Sequence, residues 1–169
     1  MEYADIVRFH GHSCPGLAMG YRMALAAMDA LGLERAGDEE VVAVVENDAC
    51  GVDALQCLTG CTFGKGNLIF KDFGKSVYTI FSRSSGRGVR VYLHGKGLPE
   101  GLRSDRKAYE QFLLTCPEEE IITRREATCE LPAFAKIRDS RNCPDCGEKV
   151  MDTRLRELDG RLVCIPCAT

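Results

Sequence analysis

Residues 13–32 have the sequence SCPGLAMGYRMALAAMDALG, and this stretch decides the fold. Its apolar residues recur at steps of three and four, as in a helix with one buried stripe: Leu17, Tyr21, Ala24, Met28 and Leu31. Pro15 is tolerated in a first helical turn, and Gly32 is typical of a helix end. Only Arg22 and Asp29 are charged, so the pattern predicts a helix that is buried on most sides at the centre of the core.

The residues that follow this helix predict a sheet packed around it. Residues 41–45, Val-Val-Ala-Val-Val, are typical of a strand covered on both faces, and a short helix is expected over about residues 51–59. Three further segments, separated by turns that contain glycine, predict an antiparallel meander: 67–72, 76–83 and 89–94. A helix from Ser104 to about Cys116 and a strand over 121–131 complete an α+β fold with an antiparallel-rich sheet around a central buried helix.

The length and composition predict a folded globular protein. A chain of 169 residues has room for one full domain and a small appendage, and 45% of the residues are hydrophobic while 28% are charged. No apolar run approaches the ~20 residues of a membrane helix, so no membrane partner is expected. Residues 1–6 carry two acids and no apolar segment, so we expect no secretory signal and a cytoplasmic location.

The charge and the cysteine content restrict the function further. The net charge of -3 and the sequence pI of about 5.7 argue against nucleic acid as the main partner, because phosphate binding requires a basic surface. Ten cysteines are unusually many for this length. Without a secretory signal, such thiols are expected to be metal ligands or redox groups before they are disulfides.

Four cysteines near the C-terminus predict a zinc ribbon. They form two pairs, Cys143-Pro-Asp-Cys146 and Cys164-Ile-Pro-Cys167, separated by 17 residues. Four thiolates complete a tetrahedral shell and leave no open position, so the zinc ion would be structural; two disulfides are the alternative. We therefore expect a core with a candidate active site over residues 1–131, a linker over 132–142 and the ribbon over 143–169.

A second group of candidate ligands lies before the central helix. His10, His12 and Cys14 alternate in sequence, so an extended segment would direct all three side chains to one side. Imidazole and thiolate groups bind zinc or iron, and the start of a helix lowers the pKa of a thiol such as Cys14. The alternative is that the histidines only cap the helix and that Cys14 packs as a small apolar residue.

A third group joins the predicted buried strand to the next helix. Cys50 has the same helix-start position as Cys14, and Asp53 and Gln56 share one face of the first turns. Cys61 follows with a glycine-rich turn and Lys65, where backbone N–H groups could approach an anion. The spacing excludes a nucleotide-binding P-loop. For Cys57 and Cys61, packing in the core is the alternative to a role in a site.

Together these motifs resemble the family of the E-type formylmethanofuran dehydrogenase subunits. The resemblance rests on residues 9–16, FHGHSCPG, residues 50–56, CGVDALQ, and residues 59–67, TGCTFGKGN, and it covers about residues 3–131. It implies an α+β homodimer that associates with the catalytic subunits of the molybdenum or tungsten enzyme that fixes carbon dioxide as formylmethanofuran in methanogens. The ribbon resembles an extra domain that some members carry.

The resemblance also implies a shared site, with His10 beside it: His12, Cys14, Cys50, Asp53, Gln56, Cys61 and Lys65. The expected cofactors are one structural zinc ion and a second metal ion in the core, held by residues among His10, His12, Cys14, Cys50 and Cys61. The leading hypothesis is an accessory metal-binding subunit of a molybdenum or tungsten oxidoreductase. The alternatives are a stand-alone small metal- or thiol-dependent enzyme and a zinc-ribbon regulator of transcription.

Overall fold

A computed structural model describes residues 1–169, which divide into two compact units, Met1–Phe134 and Ala135–Thr169. The first unit is a mixed α+β core. It has four α-helices: α1 (Tyr3–His10), α2 (Pro15–Leu31), α3 (Gly51–Thr59) and α4 (Arg106–Thr115). Helix α4 is capped by the Asp105 side chain, which accepts hydrogen bonds from the first helical N–H groups, whereas the sequence favoured Ser104 for this position.

Helix α2 is the centre of the core, as its periodicity predicts. Its buried residues include Leu17, Met23 and Ala27, and it packs against α3, α4 and the sheet. Pro15 occupies the first turn, and Gly32 ends the helix in the left-handed conformation at φ 61°. No helix of the structure, α2 with its 17 residues included, has the length and apolar character needed to cross a bilayer.

The sheet of the core has five strands in the order β2-β1-β3-β4-β5. In chain order, the strands are β1 (Val41–Val45), β2 (Leu68–Phe70), β3 (Val77–Ser82), β4 (Gly88–Leu93) and β5 (Ile122–Glu126). Strand β3 pairs antiparallel with β1 and with β4, and β4 pairs antiparallel with β5. The antiparallel-rich α+β class is therefore confirmed.

Strand β2 differs from the prediction that it belongs to the antiparallel meander. It pairs with β1 in parallel, with Val45 opposite Phe70, and not with β3. The reason is that α3 crosses between the two strands and returns the chain to the same edge, so that the second strand runs in the same direction as the first. The carboxyl ends of β1 and β2 consequently lie side by side, next to the start of α3.

The face of the sheet that points away from the helices is covered by residues 127–134, which we call the strap. Ala127 and Leu131 pack against a small cluster of Val42, Val44 and Phe81. Arg83 holds the end of the strap: its Nη1 and Nη2 atoms donate to the carbonyl oxygens of Pro132 (2.8 Å) and Ala133 (3.0 Å). Its guanidinium also stacks 3.9 Å from the ring centre of Phe134. The strand predicted over 121–131 therefore ends at Glu126.

The second unit consists of two short hairpins. Strand β6 (Ser140–Asn142) pairs with β7 (Lys149–Met151), and β8 (Leu155–Leu158) pairs with β9 (Arg161–Cys164). Asp159 and Gly160 form the second turn, both with positive φ (49° and 75°), as a tight hairpin with an Asp-Gly sequence requires. Only Cys143, Val163 and Cys164 are buried in this unit, so its apolar core is very small.

Candidate functional site

Four side chains of the core come together at the ends of three helices. His10, His12, Cys14 and Cys50 each offer a donor atom, and these atoms all lie within 4.8 Å of one another. We call these residues the core cluster. His10 is the last residue of α1, Cys14 is the N-cap of α2 and Cys50 is the N-cap of α3.

The chain reaches this arrangement by another route than the extended segment that the alternation predicts. His10 is helical, and Gly11 then reverses the chain with φ 95° before Cys14 starts α2. A left-handed residue costs little only when it is glycine. The expectation of an extended segment was wrong, because the apolar residues before His10, such as Ile6, already form an amphipathic helix.

Glycines at the crossing of α2 and α3 allow the two thiols to meet. A Cβ atom added to Gly20 would lie 2.2 Å from the Cα atom of Gly51, so the two backbones are in direct contact. A Cβ atom on Gly16 would lie 3.4 Å from the Cβ atom of Cys50. Close backbone approach of this kind requires the absence of a side chain. The starts of both helices, and with them Cys14 and Cys50, therefore lie next to each other.

Asp53 orients the ring of His10. The Nδ1 atom of His10 lies 2.7 Å from Oδ2 of Asp53, and the Nε2 atom of Gln56 donates to Oδ1 of the same carboxylate at 3.2 Å. A carboxylate at this distance favours the tautomer in which Nδ1 carries the proton and Nε2 has a free lone pair. Nε2 of His10 is buried and has no hydrogen-bond partner. An unpaired buried nitrogen is costly, and a metal ion would satisfy it.

The thiol of Cys50 does not have the lowered pKa that its helix-start position predicts. Burial raises the pKa of Cys50, and the hydrogen bond and negative charge of the neighbouring Cys14 raise it further. Cys50 also makes no side-chain cap to α3, whereas the Sγ atom of Cys14 accepts the N–H of Leu17 at 3.3 Å. Two thiols side by side disfavour the second thiolate unless a cation lies between them.

The structure does not bring Cys61 and Lys65 to the core cluster. The nine residues of α3 rise about 14 Å, so Cys61, which follows the helix, lies beyond its opposite end from Cys50. Its Sγ is buried and donates to the carbonyl of Val41 at 3.4 Å. The Nζ atom of Lys65 donates to the carbonyl of Asp38 at 3.1 Å. The motif over residues 59–67 thus fastens the loop to the start of β1.

Asn67 completes this fastening, a role that the sequence analysis missed. It is fully buried, and its Nδ2 atom donates to the carbonyls of Val41 (2.9 Å) and Asp38 (3.1 Å). Its Oδ1 atom accepts the N–H of Thr62 at 2.9 Å. Cys57 lies half-buried near the end of α3, where burial raises its pKa, and it is not a member of the core cluster.

A cavity of about 330 Å³ adjoins the core cluster. His10, Cys50, Asp53 and Gln56 form one side of it. The sequence analysis missed the residues of the other side, which come from the strand ends and the loop after α3: Asn47, Asp48, Phe63 and Phe70. Recognition that β1 and β2 are parallel would have indicated them, because ligands bind at the carboxyl ends of parallel strands.

The second unit contains the predicted set of four thiols. The Sγ atoms of Cys143, Cys146, Cys164 and Cys167 lie within 4.8 Å of one another. Hydrogen bonds from the backbone N–H groups of Cys164 and Cys146 lower the pKa of Cys143 to about 6. Hydrogen bonding to Cys164, burial and the other nearby thiols raise the pKa of Cys167 to about 12. Four converging sulfur atoms fit a tetrahedral zinc ion, and none of the ten cysteines is paired in a disulfide.

Comparison with protein families assigns both parts of the chain. A model described as "FmdE, Molybdenum formylmethanofuran dehydrogenase operon" matches residues 9–139. The chain belongs to the FmdE family. A second model, "Prokaryotic dksA/traR C4-type zinc finger", matches residues 137–169. The resemblance stated from the motifs is confirmed, and the zinc-finger match together with the four-thiol set indicates zinc in the second unit.

A solved FmdE-like structure has a similar fold. The crystal structure of a tungsten formylmethanofuran dehydrogenase FmdE-like protein from Syntrophus aciditrophicus matches with a TM-score of 0.73 and 25% sequence identity. The match covers 99% of this chain and 92% of that chain. The fold described above is therefore shared along nearly the whole length of both proteins.

A curated relative extends beyond the FmdE-family chain. It is described as a "Probable S-adenosyl-L-methionine-binding protein" from Archaeoglobus fulgidus and is 34% identical over 189 residues. The alignment covers 95% of this chain but 50% of the relative, so the chain spans about half the length of that protein. The name belongs to the whole relative and does not by itself assign a ligand to the half that is shared.

Proposed function

We propose that the FmdE core holds one metal ion through His10, His12, Cys14 and Cys50, with Asp53 positioning His10. One observation supports this most directly: four donor atoms converge within 4.8 Å, and among these residues the buried Nε2 atom of His10 has no other partner. Folded proteins rarely leave such a nitrogen unpaired. The carboxylate–histidine pair is also the usual support of a metal-bound imidazole.

The chemistry of the donor set fits a divalent ion such as zinc. Two imidazoles and two thiolates match the preferences of zinc, and iron accepts the same groups. The two thiolates balance the charge of the ion, which removes the repulsion that disfavours ionisation of Cys50 beside Cys14. An ion bound here supplies a Lewis acid at the wall of the cavity. His12 is the one exposed member of the core cluster, so it is the ligand most easily displaced.

We propose further that the protein is an accessory subunit of a molybdenum or tungsten oxidoreductase system in the cytoplasm. Family membership supports the association with formylmethanofuran dehydrogenase catalytic subunits, and ten unpaired cysteines suit a reducing compartment. The ribbon is the proposed contact with these partners, because Met151 and Ile165 expose apolar surface on it. Exposed Phe9 and Phe73 on the core favour a homodimer.

A second candidate function is a stand-alone metal- or thiol-dependent enzyme. It is favoured by the cavity of about 330 Å³, which has Cys50, His10 and Asp53 together on one side. A thiol, an imidazole and a carboxylate close together are the parts of a thiol nucleophile with its base. In this case the core would act on its own ligand without a catalytic partner subunit.

Metal counting tests the first proposal. Inductively coupled plasma mass spectrometry should find two metal ions per chain in the wild-type protein. The double variant His12→Ala/Cys14→Ser should keep one, while Cys57→Ser, a cysteine outside the core cluster, should keep two. One ion per chain in all three proteins would refute a core metal site.

Co-expression with formylmethanofuran dehydrogenase catalytic subunits then separates the two functions. Co-elution of the FmdE-family chain with these subunits supports the accessory role. Failure to co-elute, with two metal ions still bound to the isolated chain, refutes the accessory role and favours the stand-alone enzyme.

A further inference from the structure

We propose that the cavity beside the core cluster binds a small organic cation, an amine attached to an aromatic or other flat apolar group. The apolar group would lie against Phe63 and Phe70, and the amine would face Asp48 and Asp53. This inference rests on the proposed function in that it names the ligand class of the same site. The volume of about 330 Å³ is that of a site for a small molecule.

The position of the cavity in the fold is the first argument. Val45 and Phe70 are partners in the parallel pairing of β1 and β2, and both line the cavity. The cavity thus lies outside the carboxyl ends of two parallel strands, where α/β units bind ligands. Cys50, which starts α3, is at the same edge. A ligand seated there would be in contact with the core cluster.

The aromatic side chains are the second argument. Phe63 is 64% exposed and Phe70 is 37% exposed, although both line a concave surface. Phenylalanine on the outer surface of a protein is unfavourable unless something covers it. The faces of aromatic rings bind flat apolar groups by stacking and attract cations through their quadrupole. Both properties suit an aromatic amine better than a sugar or a phosphate.

The charges of the cavity are the third argument. Its lining contains Asp48 and Asp53 and no lysine or arginine. Asp53 is engaged with His10 and Gln56, while the exposed Asp48 carboxylate has no hydrogen bond or ion pair. The side chain of Asn47 holds the loop that carries Asp48, since it donates to the carbonyl of Lys75 and accepts the N–H of Ala49. A fixed negative potential favours a cation and repels an anion.

Three probes of the same size but different charge test the inference: benzylamine, benzyl alcohol and benzoate. Their binding to the full-length, metal-loaded protein can be measured by isothermal titration calorimetry. We expect benzylamine to bind about tenfold more tightly than benzoate, with benzyl alcohol between them. Asp48→Asn should weaken benzylamine about three- to tenfold and leave benzyl alcohol unchanged. Phe63→Ala should weaken benzylamine and benzyl alcohol, whereas Phe73→Ala, an exposed phenylalanine outside the cavity, should weaken neither.

The outcomes distinguish this inference from the proposed metal site. If benzoate binds as tightly as benzylamine, or if Phe63→Ala leaves both probes unaffected, the cation site is refuted even when two metal ions are counted. If benzylamine binds with the expected dependence on Asp48 and Phe63 but only the ribbon ion is present, the cavity inference stands and the core metal site falls. Because Phe63 and Asp48 are exposed, both variants should fold normally, and circular dichroism can verify this.

Discussion

The Nδ1 atom of His10 and the Oδ2 atom of Asp53 lie 2.7 Å apart, although 43 positions separate the two residues in the chain. The contact joins the end of α1 to the first turn of α3. It leaves the second ring nitrogen of His10 buried and available. The loss of this one carboxylate is therefore a direct test of how the proposed core metal site is held.

We expect Asp53→Asn to lower the affinity of the core for its metal ion about 10- to 100-fold, the usual effect of losing the carboxylate behind a metal-bound histidine. The amide cannot hold the Nδ1 proton with a full negative charge. Competition titration with a chelator measures the effect. Asp48→Asn is the matched control, because this carboxylate has no bond to His10. An unchanged affinity in Asp53→Asn would mean that His10 is not a ligand.

The thiol of Cys50 provides a pH-dependent prediction. Folding raises its pKa above the ordinary value of 9.0, so its neutral form is favoured in the metal-free fold. This contribution to stability is fully present below that value and is lost as the pH rises through the raised pKa. We therefore expect metal-free protein to lose stability in alkaline solution, and Cys50→Ala, which has no group to ionise, to lose less of it. Chemical denaturation across the alkaline range measures both.

The same shift predicts slow alkylation. Near neutral pH, Cys50 of metal-free protein should react with iodoacetamide more slowly than the exposed Cys129, because the thiolate is the reactive form. Peptide mass spectrometry compares the two residues. Faster labelling of Cys50 than of Cys129 would show that the helix-start position, which predicted a lowered pKa, outweighs burial and the neighbouring thiol.

The helix–helix contact at Gly20 predicts a large loss of stability. A Cβ atom there would overlap the backbone of Gly51 at 2.2 Å, so Gly20→Ala must push α2 and α3 apart. We expect a loss of about 3 kcal/mol in the free energy of unfolding, measured by urea denaturation. Gly64→Ala is the control: nothing lies within 4 Å of a Cβ atom at Gly64, and a change of more than about 0.5 kcal/mol is not expected. Equal effects of the two substitutions would contradict the close contact.

Removal of one ribbon ligand should release one zinc ion per chain and unfold the second unit only. The apolar core of that unit is too small to hold it without the ion. Cys164→Ser is the variant, zinc content and hydrogen exchange are the measurements, and residues 1–134 should keep their protection. Cys129→Ser, an exposed cysteine outside both sets of ligands, should keep its zinc. Retention of zinc in Cys164→Ser would refute the four-thiol assignment.

Periodicity and local motifs predicted much of this molecule, and the failures have a common cause. The buried helix over residues 13–32 and the strand over 41–45 follow from local patterns, and they are present as α2 and β1. The partner of β2 does not follow from a local pattern. Its three residues are too few to show a period, and its direction is set by how α3 packs over the sheet. Tertiary packing decided the pairing.

The same distinction applies to the candidate site. Helix-start positions for Cys14 and Cys50 could be predicted from Pro15 and from the strand that ends at Val45, and the structure has them there. The separation of Cys61 from Cys50 could have been estimated from the rise of a nine-residue helix. The contact of His10 with Asp53 could not, because it depends on the position of α1 against α3.

The hold of Arg83 on the strap has a mechanical consequence. Arg83 grips the carbonyls of Pro132 and Ala133, the last residues but one before the second unit begins at Ala135. A pull on the ribbon along the chain is therefore borne by this planar fork, which extends from the end of β3, before it reaches the edge strand β5. The sheet is insulated from tension in the tail, so a ribbon engaged by another protein can be tugged without peeling β5 from β4.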